Sequence, residues 1–148
     1  MPIPNFIEDG FLPEGIHSCS ENEITERFGR FQTTDRRPTL NAGLINYIEE
    51  LKKANIGKYL IVNGSFVTSK DSPGDIDVLL VLKDDIDLSG NLPPFIKNTA
   101  STKYINKYYK LDFHFGFEDE PHLMNIIENF KEVKHQPGKV KGILRVDL

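Results

Sequence analysis

The stretch Gly64–Leu82, GSFVTSKDSPGDIDVLLVL, constrains the fold of this chain more than any other. The apolar run Lys58–Val62 leads straight into Asn63-Gly64-Ser65, and a second apolar run, Asp75–Leu82, leaves it. Along the second run Ile76, Val78 and Leu80 share one face, while Asp77, Leu79 and Val81 share the other. Apolar residues on both faces mark a central, covered strand. Two carboxylates two residues apart on a strand point the same way, because side-chain direction alternates. Like charges held together repel, so Asp75 and Asp77 predict a cation between them.

The rest of the chain supplies the parts around this pair. Residues 1–19 contain Pro2, Pro4, Gly10, Pro13 and Gly15, and read as an irregular arm packed on the domain through Ile3, Phe6, Leu12 and their apolar neighbours. Ser20 followed by Glu23 is a capping box that opens a short helix ending at Gly29. Thr33–Pro38 reads as a polar turn bearing Arg36-Arg37, a pair suited to a surface turn or to a phosphate. Leu40, Leu44, Ile45, Ile48 and Leu51 predict a helix over 39–55. Phe66–Ser69 fits one helical turn, and residues 95–109 fit one helix or two after Pro94. Leu111–Phe117, LDFHFGF, alternates strictly and predicts a third strand with Asp112, His114 and Gly116 on its polar face. Glu118–Glu120 and then His122–Phe130 read as a helix, with the three acidic residues at its N-terminal end, where the helix dipole favours them, and Ile143–Leu148 reads as a last short strand.

Composition closes off several classes. At 148 residues the chain fits one domain, 1–148, with no internal repeat or composition break. The net charge of −4 gives no global basic field for nucleic acid. A single cysteine, Cys19, rules out an internal disulfide, and with no base near it in sequence it reads as inert. The start MPIPNFIEDGFLPEG has neither the basic nor the apolar segment of a signal peptide, and no run reaches the ~20 apolar residues of a membrane span. The expectation is a cytoplasmic protein without a membrane.

Together, Gly64-Ser65, Asp75, Asp77 and Asp112 form the inventory of a two-metal phosphoryl-transfer site. Glycine permits close backbone approach to a phosphate, serine adds a hydroxyl, and three carboxylates suit hard divalent cations. The spacing GS, nine residues, DID, then LLVL and a later LDF resembles the nucleotidyltransferase superfamily with the DNA polymerase β-like fold. The LPEGIHSCS entry, the ERFG helix and the KGILRVDL ending also resemble small single-domain prokaryotic members of that group, mostly of unknown function. The resemblance implies an α/β (α+β) fold with a small mixed sheet flanked by helices. It implies Asp75, Asp77 and Asp112 as metal ligands for Mg²⁺ or Mn²⁺, with Asp112 helping to activate the acceptor. It implies Gly64 and Ser65 as contacts to the triphosphate of a nucleoside triphosphate substrate. Many members carry a further glycine about four residues after the serine, often preceded by arginine; this chain has Phe66-Val67-Thr68-Ser69-Lys70, so the resemblance implies that Ser69 or Lys70 fills that nucleotide-binding place.

The implied reaction moves a nucleoside monophosphate onto a protein, RNA (including tRNA) or small-molecule acceptor, in a toxin–antitoxin or phage-defence setting with a partner protein. The alternative is a binding or regulatory module, antitoxin-like, that keeps the carboxylates without turnover. An RNA-binding module is a third class. Lys103, Lys107 and Lys110 interleaved with Tyr104, Tyr108 and Tyr109 fit a nucleic-acid surface, but also helical core aromatics with snorkelling lysines. The tail with Lys131, Lys134, Lys139, Lys141 and Arg145 fits polyanion steering or a solvated face. His114, on the polar face with Asp112, fits a contact to the site or a partly buried, hydrogen-bonded histidine, and His17, His122 and His135 show no zinc spacing.

Overall fold

Strands of fully apolar sequence need cover on both faces, and the helices provide it. The computed structural model describes residues 3–30 and 35–148. Among these, strands β1 (Gly15–Ser18), β2 (Gly57–Asn63), β3 (Ile76–Leu82), β4 (Leu111–Phe117) and β5 (Gly142–Asp147) form one mixed sheet in the order β1-β5-β2-β3-β4. Strand β2 runs antiparallel to β3 and to β5, whereas β4 is parallel to β3 and β1 is parallel to β5. The class is mixed α+β.

Helices α1 (Glu21–Phe28), α2 (Arg36–Ala54), α3 (Pro94–Asn98) and α4 (Thr102–Tyr109) precede or connect strands, and α5 (Pro121–Lys131) joins β4 to the last strand. One face of the sheet, with Leu60, Val62, Val78, Leu80 and Phe113, packs on Leu44, Ile48 and Leu51 of α2, Ile24 and Phe28 of α1, and Ile105 of α4. The other face, with Tyr59, Ile61, Leu79, Val81 and Ile143, packs on Leu123, Ile127 and Phe130 of α5. Burying each such side chain stabilises the fold by about 1.5–3 kcal/mol, and this two-sided demand is why β3 reads as an unbroken apolar run. Within the larger core the Tyr47 hydroxyl donates to the Thr99 carbonyl at 2.7 Å, tying α2 to the end of α3.

The capping box forms as the sequence predicts: Glu23 N–H donates to Ser20 Oγ, and Ser20 N–H to Glu23 Oε1. Other expectations need correction. The arm is not wholly irregular, since Gly15–Ser18 adds a parallel edge strand on β5. Its partner lies more than 120 residues away, and four residues carry no legible period. Helix α2 begins at Arg36, three residues before the predicted start, so Arg36-Arg37 belong to its first turn. The N-terminal part of the predicted turn, Thr33 and Thr34, lies outside the described residues. Asp75 precedes β3 and is not part of it. The acidic residues 118–120 stop short of α5: Glu120 is its N-cap residue and accepts the Phe117 N–H at 2.8 Å. No helix among the described residues is long and apolar enough to cross a membrane.

Candidate active site

The sheet topology brings four strand ends to one edge. Asn63 at the end of β2 stands opposite Asp77 at the head of β3, and Asp77 stands beside Asp112 at the head of β4. Strand β5 begins at the same edge, because it runs antiparallel to β2 with Val62 opposite Leu144. Asn63, Asp77 and Asp112 share the face on which Ile61 and Leu79 pack against α5. The site therefore lies just past the end of that helix.

Carboxylate oxygens of Asp75, Asp77 and Asp112 lie within 4.8 Å of one another; Asp75 and Asp112 are exposed, and Asp77 is half-buried. The convergence costs energy in the bare protein. Burial pushes the Asp77 carboxyl up to about 6, its hydrogen bond to Asp112 and the charges of Asp75 and Asp112 push the same way, and Lys134 opposes them. An all-oxygen donor set under mutual repulsion fits a hard divalent cation such as Mg²⁺ or Mn²⁺. His114 shares the face with Asp112, its Nε2 3.8 Å from Asp112 Oδ1, and stands edge-on to Phe130 of α5.

Gly64 sits against the cluster. Its φ of +96° with ψ of −178° is backbone that glycine alone tolerates well. A Cβ at this position would meet Asp77 Oδ2 at 3.1 Å and the Asp77 nitrogen at 3.3 Å. Ser65, half-buried, opens a short 3-10 turn over Ser65–Val67. Thus Gly64 abuts the three carboxylates, and Ser65 is the next residue along the chain. Ser69 and Lys70 are placed differently. Ser69 donates its N–H to the Gly10 carbonyl at 2.9 Å, and a Cβ on Gly10 would strike its hydroxyl, so Ser69 is tied to the N-terminal arm. Lys70 is exposed; its N–H goes to Thr68 Oγ1 and its carbonyl accepts from Arg37.

Three contributors escape a reading of the sequence. Arg37 is fully buried, which corrects its reading as a surface turn. Its guanidinium donates to the carbonyls of Phe28 (3.1 Å), Phe66 (2.6 Å), Thr68 (2.7 Å) and Lys70 (2.5 Å), and so holds the loop after Ser65 from inside. Burial lowers its pKa to about 10, with Asp71 opposing, so it keeps its charge at neutral pH. Arg36 donates to the carbonyls of Pro73 and Gly74 and fixes the far end of the same loop just before Asp75. Lys141, directly before β5, is only 8% exposed. Its Nζ donates to Asn63 Oδ1 at 2.6 Å. Burial pulls this ammonium down to about 8; Asp77 pulls it back up, and Lys134 adds to the drop. Its only sequence trace is a lysine heading a buried strand, which carries meaning once β5 is placed beside β2.

The other basic groups lie elsewhere. On α4 the rings of Tyr104 and Tyr108 are 4.5 Å apart, and Tyr108 is exposed beneath Lys107. Tyr109 instead packs inward, 5.3 Å from the ring of Tyr47. Cys19 is partly buried with Sγ 3.8 Å from the Arg145 carbonyl, and burial pushes its thiol up to about 12, consistent with an inert side chain.

No match to the chain was found among curated proteins or among solved structures. Residues 4–147 match a family model described as a family of unknown function, DUF6932, and the chain belongs to that family.

Proposed function

We propose that this protein is a metal-dependent nucleotidyltransferase that moves a nucleoside monophosphate from a nucleoside triphosphate to an acceptor hydroxyl. The observation that carries the reading is the convergence of Asp75, Asp77 and Asp112 beside Gly64-Ser65 at one sheet edge. Asp75, Asp77 and Asp112 would hold Mg²⁺ or Mn²⁺. When bound, such ions supply charge neutralisation for the phosphates and a lowered pKa for an attacking hydroxyl.

In the reaction the acceptor oxygen bonds to the α-phosphorus, the bond from that phosphorus to the β-phosphate oxygen breaks, and pyrophosphate leaves. Gly64, without a side chain, lets the triphosphate approach the backbone, and the half-buried Ser65 offers it a hydroxyl. Asp112, exposed at the head of β4, is the carboxylate on the acceptor side and accepts the proton that the hydroxyl gives up as its oxygen bonds to phosphorus. The acceptor is a protein, an RNA such as tRNA, or a small molecule, and a partner protein in a toxin–antitoxin or phage-defence pair belongs to the same reading.

The test combines binding and transfer. Mg²⁺ with one of the four nucleoside triphosphates should raise the melting temperature, by linkage, and the rise should vanish in Asp75→Asn/Asp77→Asn. An α-labelled triphosphate should leave label on an acceptor with wild-type protein and none with Asp112→Asn. Stabilisation without label transfer to any acceptor class points to the non-catalytic binding module. No stabilisation by any triphosphate removes the nucleotide reading altogether.

A further inference from the structure

We infer that Lys141 is a binding residue for the β- and γ-phosphates of the nucleotide, so that the polyphosphate lies across β2 toward β5 and the acceptor enters over β4. The inference rests on the nucleotidyltransferase reading and adds a ligand contact to it.

An ammonium carries three N–H donors and no acceptor. Lys141 is 8% exposed, and among the described residues its one hydrogen-bond acceptor is Asn63 Oδ1, at 2.6 Å. A buried charged donor left unmatched costs more than one left in water, so folds retain such a group where a ligand oxygen completes it. Among the described residues no carboxylate is paired with it, and Asp77 acts on it only through charge.

Its place decides which ligand. Asn63 stands opposite Asp77 in the β2–β3 ladder, so the ammonium is bonded to a side chain of the strand next to the one that carries the metal-site carboxylate, the two strands lying ~5 Å apart. A group that touches both a cation at Asp75 and Asp77 and the Lys141 ammonium must carry anionic oxygens along a chain. A polyphosphate has that form, and a single phosphate ester does not. Lys134, on the loop between α5 and β5, acts electrostatically on both Asp77 and Lys141, and so adds positive charge on the same side. The β4 side carries the opposite character, with Asp112 exposed and His114 beside it. The charge gradient across the edge, basic at β5 and acidic at β4, fixes the direction in which a triphosphate lies.

The experiment compares wild type, Lys141→Met and Lys141→Arg in the full chain. Calorimetric titration in Mg²⁺ uses a panel of α,β-non-hydrolysable nucleoside triphosphate analogues and the matching monophosphates; Mn²⁺ affinity alone is read by electron spin resonance. Loss of a charge-assisted hydrogen bond should weaken triphosphate binding by about ten- to a hundredfold in Lys141→Met. Monophosphate and Mn²⁺ affinities should stay within about twofold, and Lys141→Arg should recover part of the loss. Equal triphosphate affinity in Lys141→Met and wild type overturns the assignment while leaving the enzyme reading intact. Parallel loss of Mn²⁺ and triphosphate binding overturns it in favour of a packing role. Failure of wild type to bind any triphosphate overturns both. Carbon-13 resonances of the lysine ε-carbons in wild type give an answer that needs no folded Met variant: the Lys141 signal, assigned through Lys141→Arg, should move with triphosphate and not with monophosphate. An unmoved signal under saturating triphosphate refutes the contact.

Discussion

Replacing Asp77 by asparagine should stabilise the metal-free protein at neutral pH. The Asp77 carboxyl rises from an ordinary value of 3.8 to about 6 in the fold, through burial, its hydrogen bond to Asp112 and the charges of Asp75 and Asp112. The folded state thus binds this proton more tightly than the unfolded chain. Its contribution to stability is complete below pH ~4, falls as pH rises through ~6, and is constant above that. A shift of about two units has a ceiling of roughly 3 kcal/mol at ~1.36 kcal/mol per unit. Asp77 is only half-buried, so solvent screening reduces this to about 1–1.5 kcal/mol. Asparagine keeps the shape and cannot ionise. In EDTA at pH 7.5, Asp77→Asn should melt about 3–5 °C above wild type, given ~2–4 °C per kcal/mol for a chain of this size. The gap should close as pH falls from about 7 to about 4. Added Mn²⁺ should reverse the order, since wild type gains stability by binding and the variant does not. If Asp77→Asn melts at or below wild type in EDTA at pH 7.5, the carboxylates are not in conflict, and the physical case for a cation among them fails.

Three further outcomes follow from named contacts. Arg37→Met leaves the carbonyls of Phe28, Phe66, Thr68 and Lys70 without their buried donor, and should cost about 3 kcal/mol or more, a fall of roughly 6–12 °C in melting temperature; a drop below about 2 °C would contradict the contacts. Gly64→Ala puts a Cβ 3.1 Å from Asp77 Oδ2 on backbone of positive φ, and should cost about 1–3 kcal/mol in urea unfolding together with a measurable loss of Mn²⁺ affinity; unchanged affinity would detach Gly64 from the site. Cys19, its thiol pushed up to about 12, should react slowly with Ellman's reagent at pH 8 in the native protein and at once in guanidinium chloride, and fast native labelling would refute its burial.

What the sequence discloses follows from how local each signal is. The capping box at Ser20 and Glu23 is complete within four residues, and it forms as written. The alternation of Leu111–Phe117 and the apolar run after Asp77 fix strands and faces by period alone, and the face shared by Asp77 and Asp112 follows from them. The β1–β5 pairing, the Asn63–Lys141 bond and the carbonyls gathered by Arg37 join residues far apart in sequence, and no local period encodes such partners. Arg36-Arg37 misleads for a related reason. Two adjacent arginines read as a solvated turn, yet from the first turn of α2 one guanidinium reaches inward to the loop after Ser65 and the other to the carbonyls before Asp75.

That pair of arginines also answers the departure from the glycine pattern after Ser65. A glycine in a phosphate-binding loop supplies unusual backbone conformation and close approach. Here the shape comes from donors: Arg37 gathers the carbonyls of Phe66, Thr68 and Lys70, Arg36 those of Pro73 and Gly74, and Thr68 Oγ1 closes onto the Ser65 carbonyl at 2.6 Å. The Ser69 N–H fastens the loop to the arm at Gly10. Every one of these bonds is intramolecular, so in the proposed nucleotide-binding role the loop between Gly64 and Asp75 would need no ligand to shape it, and binding would incur little of the entropy that ordering a loose loop would cost. Gly64 remains the glycine whose lack of a side chain the cluster needs. In the proposed reading a charge buried beneath the loop takes the place of a second glycine, which makes the geometry of the candidate phosphate site depend on α2 as much as on the strands that carry its carboxylates.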